Sequence, residues 1–140
     1  MPSTDLQADL RGVLERAPED VVCAYLFGSA ARGQLGPGSD LDVAILLRHP
    51  PGATLAGQRL GLAGEIEQAT SRRVDLVILN QAPPDLVHRV LRDGRLVLER
   101  DKAARMRFEV RARNEFFDLQ PLLRRYRATV LAKVRGGAGP

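Results

Sequence analysis

The sequence predicts a mixed α/β (α+β) domain: a small mixed β-sheet flanked by helices, with a C-terminal helical segment. Three observations predict it. Short apolar runs of strand length, at residues 21–27, 41–47 and 74–79, alternate with stretches of helical periodicity. Glycine and proline punctuate the boundaries between them. From residue 101 to about 135 the pattern is helical throughout. The resulting order, α-β-β-α-β-α-β-α-α, is that of helices covering one small sheet. Residues 1–100 are expected to form the core, 101–135 the C-terminal helices packing on the core or on a partner, and 136–140 a disordered tail.

Each element has a local reason. Residues 4–17 read as a helix because Leu6, Leu10, Val13, Leu14 and Ala17 fall on one stripe. Thr4 with Gln7 resembles a capping box, and Pro18 stands at the other end. The run 21–27 is apolar without alternation, as in a strand buried on both faces. A glycine-rich loop, 28–39, leads into the second strand, 41–47, which stops at the breaker His49-Pro50-Pro51-Gly52. Residues 54–70 read as a helix, weakened by Gly57, Gly61 and Gly64. After the third strand, Pro83 and Pro84 open a short helix with Leu86, Val87, Val90 and Leu91 inward, and Gly94 closes it. A short fourth strand is expected at 96–98. In the last segment Ala104, Phe108, Ala112 and Phe116 recur at i, i+4, Leu122, Leu123, Tyr126 and Val130 continue the theme, and Pro121 predicts a break or a fresh start.

At 44% hydrophobic and 27% charged, a chain of 140 residues can bury a core without staples. Cys23 is the single cysteine and reads as a small buried apolar residue, since it has no partner for a disulfide or a zinc set. No apolar stretch reaches the roughly 18 residues that span a bilayer, and the N-terminus is polar and acidic, so no membrane partner and a cytoplasmic location are expected. Charge is uneven. Residues 100–140 carry a balance of +7 and residues 1–99 one of −3. A basic segment on an acidic body is either a solvated helix face or a surface that meets something anionic: nucleic acid, a nucleotide or an acidic protein.

The chemistry-bearing stretch runs Phe27-Gly28-Ser29-Ala30-Ala31-Arg32-Gly33, then Ser39-Asp40-Leu41-Asp42. Gly28 ends a strand where the backbone turns sharply and a ligand can approach. Ser29 offers a hydroxyl and a backbone N–H, a natural phosphate seat. Asp40 and Asp42 are two apart along a strand direction, so their side chains share a face. Two carboxylates on an otherwise apolar face repel and lose hydration, a conflict that a hard divalent cation resolves. Asp75 repeats the theme inside Val74-Asp75-Leu76-Val77. If its strand neighbours the second one, three carboxylates converge on a two-metal site. Arg32 is read either as a phosphate contact or as a local salt-bridge partner. His49 and His88 read as surface or helix residues. Tyr25 reads as structural, and Tyr126 as packing rather than partner-facing.

Taken together, Gly-Ser, a gap, Asp-x-Asp and a later strand aspartate resemble the signature of the DNA polymerase beta-type nucleotidyltransferase superfamily. The form Gly28-Ser29-Ala30-Ala31-Arg32-Gly33 with Ser39-Asp40-Leu41-Asp42-Val43-Ala44 resembles its minimal nucleotidyltransferase (MNT) branch. The resemblance covers residues 21–98, and the tail from Arg111 to Tyr126 is similar to that of MNT antitoxins, which pair with HEPN ribonuclease toxins. It implies the nucleotidyltransferase fold, with Gly28 and Ser29 binding the triphosphate and Asp40, Asp42 and Asp75 holding two Mg²⁺ ions. It further implies ATP as donor, and AMP transfer onto a tyrosine hydroxyl of a HEPN toxin by a type VII antitoxin, with nucleic acid the less favoured partner. The alternatives are transfer to a small hydroxylated molecule such as an aminoglycoside, and a non-catalytic antitoxin that neutralises its partner by contact.

Overall fold

In the computed structural model, which describes residues 2–34, 36, 38–49 and 55–137, four strands form one sheet and four helices accompany it. In chain order the elements are α1 (Pro2–Glu15), β1 (Val21–Phe27), β2 (Leu41–Leu47), α2 (Leu55–Thr70), β3 (Val74–Ile78), α3 (Pro84–Asp93), β4 (Arg95–Glu99) and α4 (Lys102–Gly137). The sheet order is β3-β2-β1-β4. β1 pairs antiparallel with β2 and with β4, whereas β2 and β3 run parallel, joined by the crossover through α2. The sheet is therefore mixed. Its parallel pair brings the starts of β2 and β3 to the same end of the sheet as the finish of β1.

Alternation along the strands sorts the core into two layers. On one face, Leu41, Val43, Ile45 and Leu47 of β2 join Val21, Ala24 and Leu26 of β1 and Leu76 and Ile78 of β3. Leu10, Val13, Leu14 and Ala17 from the α1 region and Leu62 and Ile66 of α2 cover this face. On the other, Cys23, Tyr25, Phe27, Ala44 and Leu46 pack with Val87 and Val90 of α3 and Phe108 of α4. Burial pushes the Cys23 thiol up to about 11, the behaviour of an inert core cysteine.

Two polar devices fasten the layers, and neither has a local sequence pattern. The Arg100 guanidinium, just beyond β4, donates to the carbonyls of Pro18 (2.6 Å), Glu15 (2.8 Å), Ala17 (2.8 Å), Leu14 (3.1 Å) and Val21 (3.4 Å). It thereby caps the carbonyl end of α1, adding a second donor to Leu14 O and Pro18 O, which already accept from Ala17 N–H and Val21 N–H. On the other face the Tyr25 hydroxyl donates to Glu109 Oε1 at 2.7 Å, and Arg105 Nη1 donates to the same oxygen at 2.9 Å. Arg105 also lies 3.6 Å from Glu99 Oε2, so an ionic cluster pins the start of α4 to β1 and β4.

The helical tail departs from expectation. Pro121 neither breaks nor restarts it: α4 is a single helix of 36 residues. Proline removes one intrahelical bond, and on an exposed helix the freed carbonyl turns to water. Gly136 and Gly137, expected in a disordered tail, belong to α4, while residues 138–140 lie outside the described residues. Among the described residues, only the first turns of α4 reach the core. Tyr126, expected to pack, is 69% exposed, and Leu122 and Val130 are uncovered beside it. At the other terminus α1 begins at Pro2, so Thr4 is inside the helix rather than capping it. The Pro50-Pro51-Gly52 breaker and the expected start of α2 at Thr54 lie outside the described residues.

Candidate active site

The candidate site forms where β1 ends and β2 and β3 begin. Phe27 is paired with Asp42 across the antiparallel β1–β2 ladder, and Asp42 with Asp75 across the parallel β2–β3 ladder. In-register residues on neighbouring strands share a face, so both carboxylates project from the α3/α4 side of the sheet. Neighbouring strands lie roughly 4.8 Å apart, so the two like charges are close neighbours. Asp40 immediately precedes β2 and is exposed.

The Asp42 carboxyl is held above its ordinary pKa, first because burial disfavours its charge, then because Asp75 and Asp40 repel it; Arg32 acts in the opposite sense. Asp40 and Asp75 therefore both act on Asp42. Among the described residues, however, no three acidic, histidine or cysteine side chains stand close enough together to form a metal-holding group. What the site does offer is an all-oxygen, anionic donor set at Asp42 and Asp75 with a third carboxylate in electrostatic range. That chemistry suits a hard divalent cation, which would relieve the repulsion that raises Asp42.

Gly28 follows β1 with φ +70°, the left-handed region. A Cβ here would collide with Asp42 Oδ2 and stand 3.1 Å from Asp42 Cγ. Gly28 thus has two reasons to be glycine, and the second is the placing of Asp42. The turn of residues 28–33 closes through Gly33 N–H to Ala30 O (3.2 Å) and Gln34 N–H to Ser29 O (2.8 Å). This leaves the N–H groups of Ser29 and Ala30 without an acceptor among the described residues. Arg32 is exposed, makes no ion pair among the described residues and donates through Nε to Gln34 Oε1 at 3.3 Å.

The other candidates fall elsewhere. His49 is exposed and pairs with Asp20 at 3.0 Å, and His88 of α3 stacks on Phe116 of α4 with ring centroids 3.8 Å apart. Tyr25 is buried in the core. Arg72 was not anticipated. Its Nη1 donates to Gly36 O (3.0 Å) and Ser39 O (3.4 Å), tying the loop that carries Asp40 to the turn before β3.

The polymerase beta, nucleotidyltransferase family model matches residues 9–103, from α1 through β4. The chain belongs to this nucleotidyltransferase family. A curated relative, the protein adenylyltransferase MntA of Aphanizomenon flos-aquae, is 34% identical over 83 residues, 53% of this chain. The match covers 54% of that relative, so the chain spans about half the length of the protein it resembles. The fold is also that of a solved toxin–antitoxin with AMP-PNP, at a TM-score of 0.77 and 24% identity, covering 89% of this chain and 98% of that one. A second structure contains a tri-AMPylated Shewanella oneidensis HEPN toxin in complex with MNT antitoxin. It matches at a TM-score of 0.67 and 20% identity, over 95% of this chain and 98% of that one. For this nucleotidyltransferase, the family match ends where α4 begins, whereas the two solved structures cover 89% and 95% of the chain and so extend into that helix. No helix among the described residues is long and apolar enough to cross a membrane.

Proposed function

We propose that the chain is a Mg²⁺-dependent adenylyltransferase that moves AMP from ATP onto a tyrosine hydroxyl of a HEPN ribonuclease toxin, and so acts as its antitoxin. The observation that carries the reading is the in-register pair Asp42–Asp75 beside the left-handed Gly28 turn. In this reading the free amides of Ser29 and Ala30, with the Ser29 hydroxyl and Arg32, seat the triphosphate. Asp42 and Asp75, joined by Asp40, hold two Mg²⁺ ions, which when bound neutralise charge on the triphosphate and the departing pyrophosphate. The acceptor oxygen attacks the α-phosphorus in line. An O–P bond forms, the bond from that phosphorus to the bridging oxygen breaks, and pyrophosphate leaves. Asp75 takes the hydroxyl proton. Support for the donor and acceptor comes from the relatives: one is a protein adenylyltransferase, and another structure holds a tri-AMPylated HEPN toxin.

The partner surface in this reading is α4. Beyond residue 118 its described stretch carries Arg124, Arg125, Arg127, Lys133 and Arg135 with no acidic residue. The exposed Leu122, Tyr126 and Val130 extend the stripe that Phe108 begins inside the core. Residues 101–135 therefore serve partner binding more than core packing. The deciding experiment incubates the chain with labelled ATP, Mg²⁺ and a HEPN-domain toxin. Label on a tyrosine of that protein is expected, and the double variant Asp40→Asn with Asp42→Asn is expected to abolish it. Transfer that survives both substitutions would overturn the site.

A further inference from the structure

The carboxylate end of the sheet carries a cleft. It has a volume of about 470 Å³ and is lined by Gly38, Ser39, Thr70, Ser71, Arg72 and Arg73. Its walls are the turn from α2 into β3 and the loop that enters β2. Leu41 N–H donates to Arg73 O at 2.7 Å, and the register pairs Leu41 with Val74 and Asp42 with Asp75. Arg73 therefore stands level with Asp40 and two residues before Asp75.

Most polar groups in the cleft are already engaged. Arg72 is held by two carbonyls, Thr70 Oγ1 donates to Ile66 O at 2.7 Å, and Ser39 Oγ accepts from Gly36 N–H at 3.2 Å. The Arg73 guanidinium and the Ser71 hydroxyl are not. Both residues are exposed, and among the described residues neither side chain makes a hydrogen bond or ion pair. Ser71 has φ 58°, in the left-handed region that non-glycine residues rarely adopt. A guanidinium presents a planar fork of donors that matches carboxylate and phosphate oxygens.

Position gives the cleft its meaning. The sheet runs β3-β2-β1-β4, so Gly28 and Ser29 at the end of β1, Asp42 on β2 and Asp75 on β3 follow one another across it. The cleft lies on the β3 side, across the carboxylates from the Gly28–Ser29 turn. We propose that it is an anion subsite for the acceptor, in which Arg73 and Ser71 hold a phosphoryl or carboxylate group borne close to the hydroxyl that is modified. Its role, though not its existence, rests on the functional reading above. Two sources supply such a group: an acidic side chain near the acceptor residue, or the phosphodiester of a nucleotide already transferred.

The test is a titration of the ¹⁵N-labelled full chain with inorganic phosphate, without ATP or Mg²⁺. Backbone amides and arginine Nε–Hε signals are followed. Saturable shifts at Ser71 and Arg73 are expected, and Arg73→Gln should abolish them while Gly28 and Ser29 still respond to ATP. Dimethyl phosphate, a phosphodiester, binding at Ser71 and Arg73 at least tenfold tighter than N-acetylaspartate identifies the transferred nucleotide as the source; the reverse order identifies the acidic side chain. Shifts confined to Gly28 and Ser29, or unchanged by Arg73→Gln, would overturn the proposal. Failure of the wild-type chain to bind Mg²⁺–ATP would instead strike the functional reading and leave the phosphate titration standing.

Discussion

Replacing Gly28 with alanine puts a methyl group into the space of the Asp42 carboxylate. The new Cβ would overlap Oδ2, with Cγ at 3.1 Å and Cβ at 3.4 Å, so rotating the carboxylate alone does not clear it. The backbone must also keep φ +70° with a Cβ present, a cost of about 1–2 kcal/mol. For a chain of this size that is a fall of several degrees in Tm, roughly 2–4 °C per kcal/mol. The larger effect is on chemistry, since a reacting group displaced by about 1 Å can lose about 100-fold in rate. Gly33→Ala separates the two costs. Gly33 has the same φ, +70°, but a Cβ there meets nothing within 4 Å. Gly28→Ala should therefore lose more stability than Gly33→Ala by thermal denaturation, and only Gly28→Ala should lose AMP transfer from labelled ATP. Equal transfer by the two variants would refute the argument that Gly28 is required by the placing of Asp42.

Acidity gives a second handle. Because the folded pKa of Asp42 is raised, folding is favoured as pH falls through that pKa toward the unfolded value, and the gain is lost as pH rises again. Asp42→Asn should flatten this part of the stability–pH curve, read by denaturant melts across the acidic range. Mg²⁺-supported ATP binding should weaken with falling pH, with a midpoint above the ordinary aspartate range, because protons compete for the same oxygens. Arg100→Ala removes five hydrogen bonds to the end of α1, although Leu14 O and Pro18 O keep backbone donors, and should cost about 2–3 kcal/mol in urea unfolding, with Arg100→Lys recovering part of it. Arg105→Ala leaves Glu99 without this cation and Glu109 with only Arg113 at 3.8 Å, and should cost about 1–3 kcal/mol, more than the loss of one hydrogen bond in Tyr25→Phe. Ending the chain after Gln120 should leave the Tm within about 2 °C, since surface changes rarely exceed 0.5 kcal/mol, yet abolish co-purification with a HEPN partner.

How much was legible in the sequence depended on whether the cause was local. β1 and β2 could be read to the residue because unbroken apolar runs meet abrupt polar or glycine boundaries at Gly28, Asp40 and Arg48. β4 read short, as 96–98, because Arg95 and Glu99 are polar; pairing with β1 draws both into the ladder. Pro121 pointed to a break because its penalty was weighed without tertiary context, on a helix whose far side meets only water. The carboxylates could be named from spacing and alternation, but the Asp42–Asp75 register belongs to strand pairing, which no single segment records. The grip of Arg100 on the end of α1 crosses about 80 positions of chain and leaves no periodic trace, in a sequence where arginine is common. Arg72 escaped notice for the same reason.

Strand β3 is short and lies at an outer border of the sheet, with one side of its backbone unmatched by another strand among the described residues. Without Asp75 its sequence would be an uninterrupted β-branched and leucine run, the sort of border onto which a foreign strand can add. The acid proposed to serve chemistry therefore also keeps this border unattractive to other chains. An inactivating change to valine at position 75 would confound loss of activity with loss of solubility, whereas asparagine separates the two.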